Sequence, residues 1–469
     1  MRKKIITVLA LMLAAVVFFS GCEALTFNSA ENLVRPPKLS GDDGQLQAAF
    51  EKAVSEKGEY ILKYPAAGEY RSAFVRHDCD SDGDDEAFVF YSLKAEEMSV
   101  YMYMLDFDGR EWVAVGENPG EGNDVYSIEF CDLNSDGIDE VFVGWRSIDS
   151  KANKKLSVFC PDRLASGLSY KILAIETYTS MYTVDLDFDG QKEILLALIN
   201  STSDAYTTEA RLLKMAESGI SDYMINSLGR VPLYSGITAI TSIKSGLSGG
   251  RRYVYIDEAA GDSYLTEMLY WDNVNKTLAS AVTIDPVSFA DGPTSRSLPL
   301  VCADVDKDGE LEIPVTKLLP DSSIISKKVQ DSETVSDNAN LYLTGWKKFA
   351  EGSFNLCRSY IRNDADGFII EYDEAKMADW SIKFYPDEGI SQFLLLEKSA
   401  DGLMLVSEPS LLFTISKTAS DEDVNEDELL AATDEYRYIC KITEKGEELG
   451  ITSEYVAEIF SLSQESGVV

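Results

Sequence analysis

Four stretches of the chain place carboxylates at alternate positions ahead of a glycine: DCDSDGDDE from Asp78, DLNSDGIDE from Asp132, DLDFDGQKE from Asp185 and DVDKDGELE from Asp304. Each reads D-x-[D/N]-x-D-G-x-x-E. Oxygens at positions 1, 3 and 5 of a tight loop can converge on one point, and glycine at position 6 permits the sharp turn. Position 7 offers its carbonyl, and the acid at position 9 closes the cage. An all-oxygen cage suits Ca²⁺, a hard cation that takes six to eight oxygens at ~2.3–2.6 Å. The expected ligands are Asp78, Asp80, Asp82, Asp84 and Glu86 in loop one, and Asp132, Asn134, Asp136, Ile138 and Glu140 in loop two. Loop three would use Asp185, Asp187, Asp189, Gln191 and Glu193, and loop four Asp304, Asp306, Asp308, Glu310 and Glu312, giving about four calcium sites. No ligating position is soft and the chain has one histidine, which argues against zinc or copper. An EF-hand is excluded, because position 12, where that motif needs a bidentate acid leading into a helix, is Val89, Val143, Leu196 or Val315. A single copy could be no more than a polar hairpin turn. Four copies in one register argue for a ligand.

The elements that must hold these loops follow from what flanks them. Each loop runs into a hydrophobic, β-favouring stretch, and the loop starts lie 54, 53 and 119 residues apart. The last interval is about twice the others, and AITSIKSGLSGGRRYVYIDEA, from Ala239, keeps a strand–glycine loop–strand outline there without the acids. Five such units are an internal repeat, which governs the fold. First strands are expected at 72–76, 127–131, 181–184, 239–243 and 298–303, with outer hairpins such as 100–107 and 111–116 around Asp108-Gly109. This predicts a mainly β chain: a propeller-like array of five four-stranded units, with a sixth open to completion by the ends of the domain, followed by a small α+β domain.

The loops and their flanks resemble the FG-GAP/VCBS-type repeats of integrin-like β-propellers, in which a calcium loop joins the first two strands of each blade. The segments ENLVRPPKLS, KYPAAGEYRSAFVRHD and SRSLPLVCADVDKDGELEIPVT are also similar to a family of repeat-containing lipoproteins of monoderm bacteria. That resemblance implies localisation and fold, not an activity.

The N-terminus points the same way. Arg2, Lys3 and Lys4 precede an apolar run from Ile5 to Phe19 that is short for a membrane span, as in a secretory leader. The ending Phe19-Ser20-Gly21-Cys22 resembles the bacterial lipobox, so the expectation is lipidation of Cys22 and anchoring to the outer face of the cell membrane. The expected organisation is a leader over 1–21, a tether over 22–44, and a packed helix plus the propeller-like repeat over 45–358. A C-terminal α+β domain takes 359–469. Within it 423–432 and 453–461 read as helices, and Asn363-Asp364-Ala365-Asp366-Gly367 reads as a hairpin turn. The polar stretch 322–340 reads as an exposed loop.

The net charge of −38 falls to about −41 without the leader, a surface that repels nucleic acid and anionic headgroups. The six cysteines after Cys22 are widely scattered, and buried free thiols explain them better than a disulfide framework. His77 stands alone, so histidine-based triads have no raw material, and no phosphate loop or nucleophile elbow is visible. The leading expectation is a non-enzymatic binding or assembly module for a surface protein or glycan, with Ca²⁺ as structural filler. The alternative is an extracellular carbohydrate-active enzyme, such as a calcium-dependent polysaccharide lyase with a Lys or Tyr base.

Overall fold

The computed structural model describes residues 42–148, 150–164, 167–201, 206–219, 222–282, 292–330, 333–397, 408–422 and 424–463. The expected leader, Cys22 and all but the end of the expected tether lie outside them. The chain is mainly β, a propeller-like array of antiparallel meanders. In blade one, β1 (Tyr60–Leu62) and β2 (Phe74–His77) share one edge of β3 (Glu86–Leu93), which leads to β4 (Tyr101–Phe107) and β5 (Trp112–Pro119). Blade two is β6 (Asp124–Cys131), β7 (Glu140–Ser147), β8 (Ser150–Leu164) and β9 (Gly167–Tyr178). Blade three is β10 (Ser180–Val184), β11 (Glu193–Ser201), β12 (Tyr206–Gly219) and β13 (Asp222–Pro232). Blade four is the degenerate unit: β14 (Ala239–Ser248), β15 (Arg251–Ala260), β16 (Ser263–Asp272) and β17 (Thr277–Ser280). The glycine loop of its outline, Gly246 to Gly250, is reduced to a turn at Gly249-Gly250, both with positive φ, because β14 runs on to Ser248.

The second strands are apolar without alternation because both of their faces are buried between blades. On β3, Phe88 and Phe90 pack towards blade two with Ile128, Val141, Val143 and Trp145. On β7, Phe142 turns the other way, to Leu156, Val158, Ile194 and Leu196. On β11, Leu195 and Ile199 face Val254, Ile256, Leu265 and Leu269 of blade four. On β15, Tyr253 and Tyr255 face Cys302, Ile313 and Phe349 of unit five. The period-two alternation of each strand therefore knits one blade to the next.

The outer face of blade one is closed by a helix. α1 (Asp42–Val54) lays Leu46, Phe50 and Val54 onto Ala87, Val89, Tyr91, Leu105 and Trp112, with the Phe50 ring edge-on to Tyr60, Phe74, Tyr91 and Tyr103. Among the described residues, no hydrophobic cluster joins blade one to unit five.

The first strand expected at 298–303 is not formed: unit five begins with an isolated bridge, Ala303 to Glu312, then β18 (Ile313–Gln330), β19 (Glu333–Ala350) and β20 (Ser353–Asn363). Most of the stretch expected as a loop is instead the far half of the β18–β19 ribbon, with Ser323 opposite Asn340 and Gln330 opposite Glu333. A two-stranded ribbon satisfies its backbone by pairing and needs little apolar patterning, which is why the polar sequence concealed it. Beyond an irregularity between Leu318 and Ser323, β18 pairs in parallel with β22 (Trp380–Tyr385), and one sheet continues through β23 (Ile390–Leu395), β24 (Ser410–Ala419), β26 (Tyr436–Ile442) and β25 (Leu429–Ala432). On the other side β20 leads to β21 (Phe368–Glu371) and β27 (Phe460–Leu462). The sheet wraps one core, where Phe368, Tyr438 and Phe460 meet ring to ring. The expected boundary at 358/359 falls inside β20, and the C-terminal region shares its sheet with unit five.

Three short helices complete that region: α2 (Glu374–Met377), α3 (Glu444–Glu448) and α4 (Ser453–Ile459), capped by Asp373, Thr443 and Thr452. The helix expected over 423–432 is absent from the described part of that stretch. A 3-10 turn at Glu426–Glu428, capped by Asn425, gives way to β25, because an edge of β26 offers pairing that a run of like charges cannot supply in a helix. Asn363–Gly367 is the expected hairpin turn, with Gly367 N donating to Asn363 O at 2.8 Å. All six described cysteines are free, and only Cys357 is exposed.

Candidate metal loops

Loops one to three join the first and second strands of their blades, and loop four links the two residues of the Ala303–Glu312 bridge ahead of β18. The residue at position 4 (Ser81, Ser135, Phe188, Lys307) and the glycine at position 6 (Gly83, Gly137, Gly190, Gly309) all have positive φ. The φ of 87–95° at those glycines is one that a Cβ disfavours. In loop one, Asp78 accepts from Asp82 N at 3.2 Å and Gly83 N at 3.1 Å, and Asp82 accepts from Asp84 N at 3.0 Å. Loops two and four repeat the pattern on Asp132 and Asp304. The closing glutamate, Glu86, Glu140, Glu193 or Glu312, is buried at 0–1% exposure. One of its oxygens accepts the amide of loop position 2, from Cys79, Leu133, Leu186 or Val305, at 2.6–2.9 Å.

In three loops acidic oxygens gather within 4.8 Å of one another and could hold a metal ion: Asp78, Asp80 and Glu86; Asp185, Asp187 and Glu193; Asp304, Asp306 and Asp308. Loop two has an amide at position 3, and Asn134 Nδ2 donates to Asp136 Oδ2 at 2.8 Å. Asp84, Ile138, Gln191 and Glu310 hold position 7, and their amides donate to the acid at position 5. The loops also touch in series. Ser81 Oγ donates to Gly137 O at 2.9 Å, Asp139 N to Cys79 O at 2.7 Å, and Lys192 N to Leu133 O at 2.9 Å.

The residue opposite the closing glutamate on the third strand had no place in the sequence motif, and it differs from loop to loop. Glu86 faces Asp106 on β4, and Glu193 faces Lys214 on β12. The register sets Cys160 of β8 against Glu140, with its Sγ 3.6 Å from Glu140 Oε1, and Lys348 of β19 against Glu312. Lys214 Nζ lies 3.0 Å from Asp187, 2.7 Å from Asp189 and 2.6 Å from Glu193. Lys348 Nζ contacts Asp306 at 2.8 Å, Asp308, and Glu312 at 3.4 Å. A spacing of 20–21 residues from the closing glutamate is the sequence signal for the first three of these partners.

Burial raises all four closing glutamates, and the lysines facing Glu193 and Glu312 oppose that rise in loops three and four. Burial pushes Glu86 up to about 8, opposed by the Cys79 amide and reinforced by Asp80, Asp106 and Asp78. Burial also takes Glu140 up to about 7, against the Leu133 amide and with Asp136 adding. Burial works against a charged Lys214, but its bonds to Asp189, Glu193 and Asp187 outweigh that and hold it above the ordinary lysine range. Lys348 is raised in the same way by Asp306 and Asp308.

The cations of the degenerate unit serve its neighbours. Arg252 Nη1 donates to Asp185 O and its guanidinium lies 4.4 Å from the Phe188 ring centroid, while Lys244 Nζ donates to Cys302 O at 2.6 Å. His77 is a tie between blades: its ring stacks on Phe130 at 4.0 Å, with Nε2 2.7 Å from Asp139 and Nδ1 3.3 Å from Tyr70 Oη.

No protein family matches the chain, and no curated protein does. Among solved structures, the chain is similar to a protein from Lactobacillus plantarum at 9% identity and a TM-score of 0.27, over 74% of this chain and 85% of that one.

Proposed function

We propose that this chain is a lipid-anchored protein of the outer cell face, tethered through Cys22. Its blades are FG-GAP/VCBS-type repeats stabilised by calcium, and the array serves as a non-enzymatic module that binds or assembles a surface partner. The observation that carries this reading is the closing glutamate, buried in every loop beside further acids. A buried carboxylate among like charges is costly; Lys214 and Lys348 offset part of that cost in loops three and four, and a divalent cation would offset it further. The loops are all-oxygen at their ligating positions, which favours calcium over softer metals. Their acids also hold strand-joining turns through backbone amides, a structural duty rather than proton transfer to a substrate.

The test is to melt the full chain, purified in detergent, with saturating Ca²⁺ and with EGTA, alongside metal analysis. A ligand confined to the folded state stabilises by ~2.7 kcal/mol per site at a hundredfold excess over its Kd. The expected result is calcium bound to the chain and a lower melting temperature in EGTA. An unchanged melt together with no bound calcium refutes the reading. Glycan and surface-protein arrays then identify the partner.

A further inference from the structure

We propose that the cleft where loop four meets strands β20, β21 and β27 binds a small carboxylic acid that carries hydroxyl or ammonium groups beside its carboxylate, the shared chemistry of acidic sugars and amino acids. This rests on the reading of the chain as a binding module, names a ligand class for it, and makes no use of the metal.

Strand register builds the site. Tyr360 of β20 stands opposite Glu371 of β21, and Ile369 of β21 stands opposite Ser461 of β27. Side chains alternate along a strand, so Arg358, Tyr360, Ile369, Glu371 and Ser461 share one face of the sheet. Ile361, Phe368, Ile370 and Phe460 take the opposite parity and enter the C-terminal core. On the cleft face Trp346, opposite Arg358 on β19, packs with Tyr360, Ile369 and Val305 of loop four, which seats the loop on the sheet. Beside that contact lies a cavity of about 270 Å³, lined from both sides and by Ile459 and Ser461 of the α4–β27 junction. That is the small end of the range for ligand sites, and such sites favour the junctions between structural units.

The lining selects the ligand. Although the chain has 80 acidic residues against 42 basic ones, both Arg358 and Lys307 line this cleft, and among the described residues neither forms an ion pair. Arg358 Nη1 donates instead to Tyr360 Oη at 3.0 Å. A phenol that accepts a hydrogen bond still has its own proton to give. The guanidinium fork, the phenol and the Ser461 hydroxyl therefore offer a set of donors to a carboxylate, the group whose planar geometry the fork matches. Asp306 is already engaged by Lys348, which leaves two cations in the cleft against one carboxylate, the exposed Glu371. A bare anion would leave Glu371 facing it unanswered. An acid with its own O–H or N–H donors meets the cations and the carboxylate together, and Val305 and Ile369 give its C–H groups an apolar floor.

Equilibrium dialysis of the full chain, purified in detergent with saturating Ca²⁺, tests this with galacturonate and glutamine as probes and with galactose and the methyl ester of galacturonate as uncharged controls. The expected result is one acid bound per chain and no binding of the controls; whether galacturonate or glutamine binds tells an acidic sugar from an amino acid. Arg358→Met should weaken binding about 10–100-fold, and Tyr360→Phe and Glu371→Gln about 3–10-fold each. Lys52→Met, on the helix over blade one, should change nothing. Melting curves check that the variants fold, and if Arg358→Met does not, Tyr360→Phe and Glu371→Gln carry the same comparison. Binding of neither acid, equal binding of an uncharged control, or affinity untouched by the cleft variants overturns the site. Each of those results leaves the melt in EGTA to decide the calcium reading and the arrays to find a partner elsewhere on the surface.

Discussion

Glu258 and Glu267 form a pair of carboxyls sealed between blades three and four, and the pair should make stability fall as pH rises. Glu258 has no exposed surface and Glu267 has 4%. Burial, with the Glu267 charge beside it, holds Glu258 well above the usual carboxylate range. Burial raises Glu267 to about 7, against the Tyr234 amide, which donates to it at 2.9 Å. A carboxyl whose folded pKa lies above its unfolded value binds more protons in the native state. Its contribution is therefore complete below pH ~4.5 and is lost as pH climbs through the folded value. At 1.36 kcal/mol per pKa unit, a rise from 4.5 to about 7 corresponds to about 3 kcal/mol lost between pH 4.5 and 8. The double variant Glu258→Gln/Glu267→Gln keeps the shape and removes the titration. Melting curves of variant and wild type in saturating Ca²⁺, where any loop contribution is common to both, should converge near pH 5. By pH 8 the variant should melt higher by roughly 3–7 °C. Two curves that stay parallel from pH 5 to 8 would refute the assignment of a proton to this pair.

Three further outcomes are expected. Arg296→Met strands Asp257, which the guanidinium meets at 2.8 Å with both side chains fully buried, and should cost about 3–5 kcal/mol in chemical denaturation. Phe50→Ala empties the ring cluster under α1 and should cost about 3–5 kcal/mol, read as a lower melting temperature with new dye-accessible apolar surface. Cys22→Ser should abolish labelling by a fatty-acid probe and release the protein from the membrane; undiminished labelling would sink the anchor.

The fold was legible where local chemistry repeats. Asp, Asp and Gly at fixed offsets gave the loops, and the loops gave the pairing of the first two strands in blades one, two and three. The Ala239 unit was found by interval alone, and the structure places it in a blade of its own. What could not be read lies in long-range pairing. Lys214 and Lys348 stand 21 and 36 residues beyond the glutamates they face, in strands whose hairpin lengths differ, so no motif window holds both partners. The far half of the β18–β19 ribbon was invisible for a related reason: Ser323 to Gln330 carries mostly polar residues, and pairing rather than burial makes it a strand. The acid-rich stretch near Asn425 was misread because an edge available only in the folded sheet outweighed its apparent helix-start signal.

The helix over blade one bears on how such a chain can change over time. In a closed ring a full turn is divided among all the blades, so gaining or losing one alters every angle. Here Leu46, Phe50 and Val54 seal the outer face of blade one, and among the described residues the hydrophobic clusters join each blade to its immediate neighbours. Stability in such a stack approaches a sum of unit and interface contributions. A duplication between two blades would lengthen the body by one unit and leave the helical seal on blade one as it is. A unit could equally shed its loop acids, as blade four has, without its neighbours having to readjust.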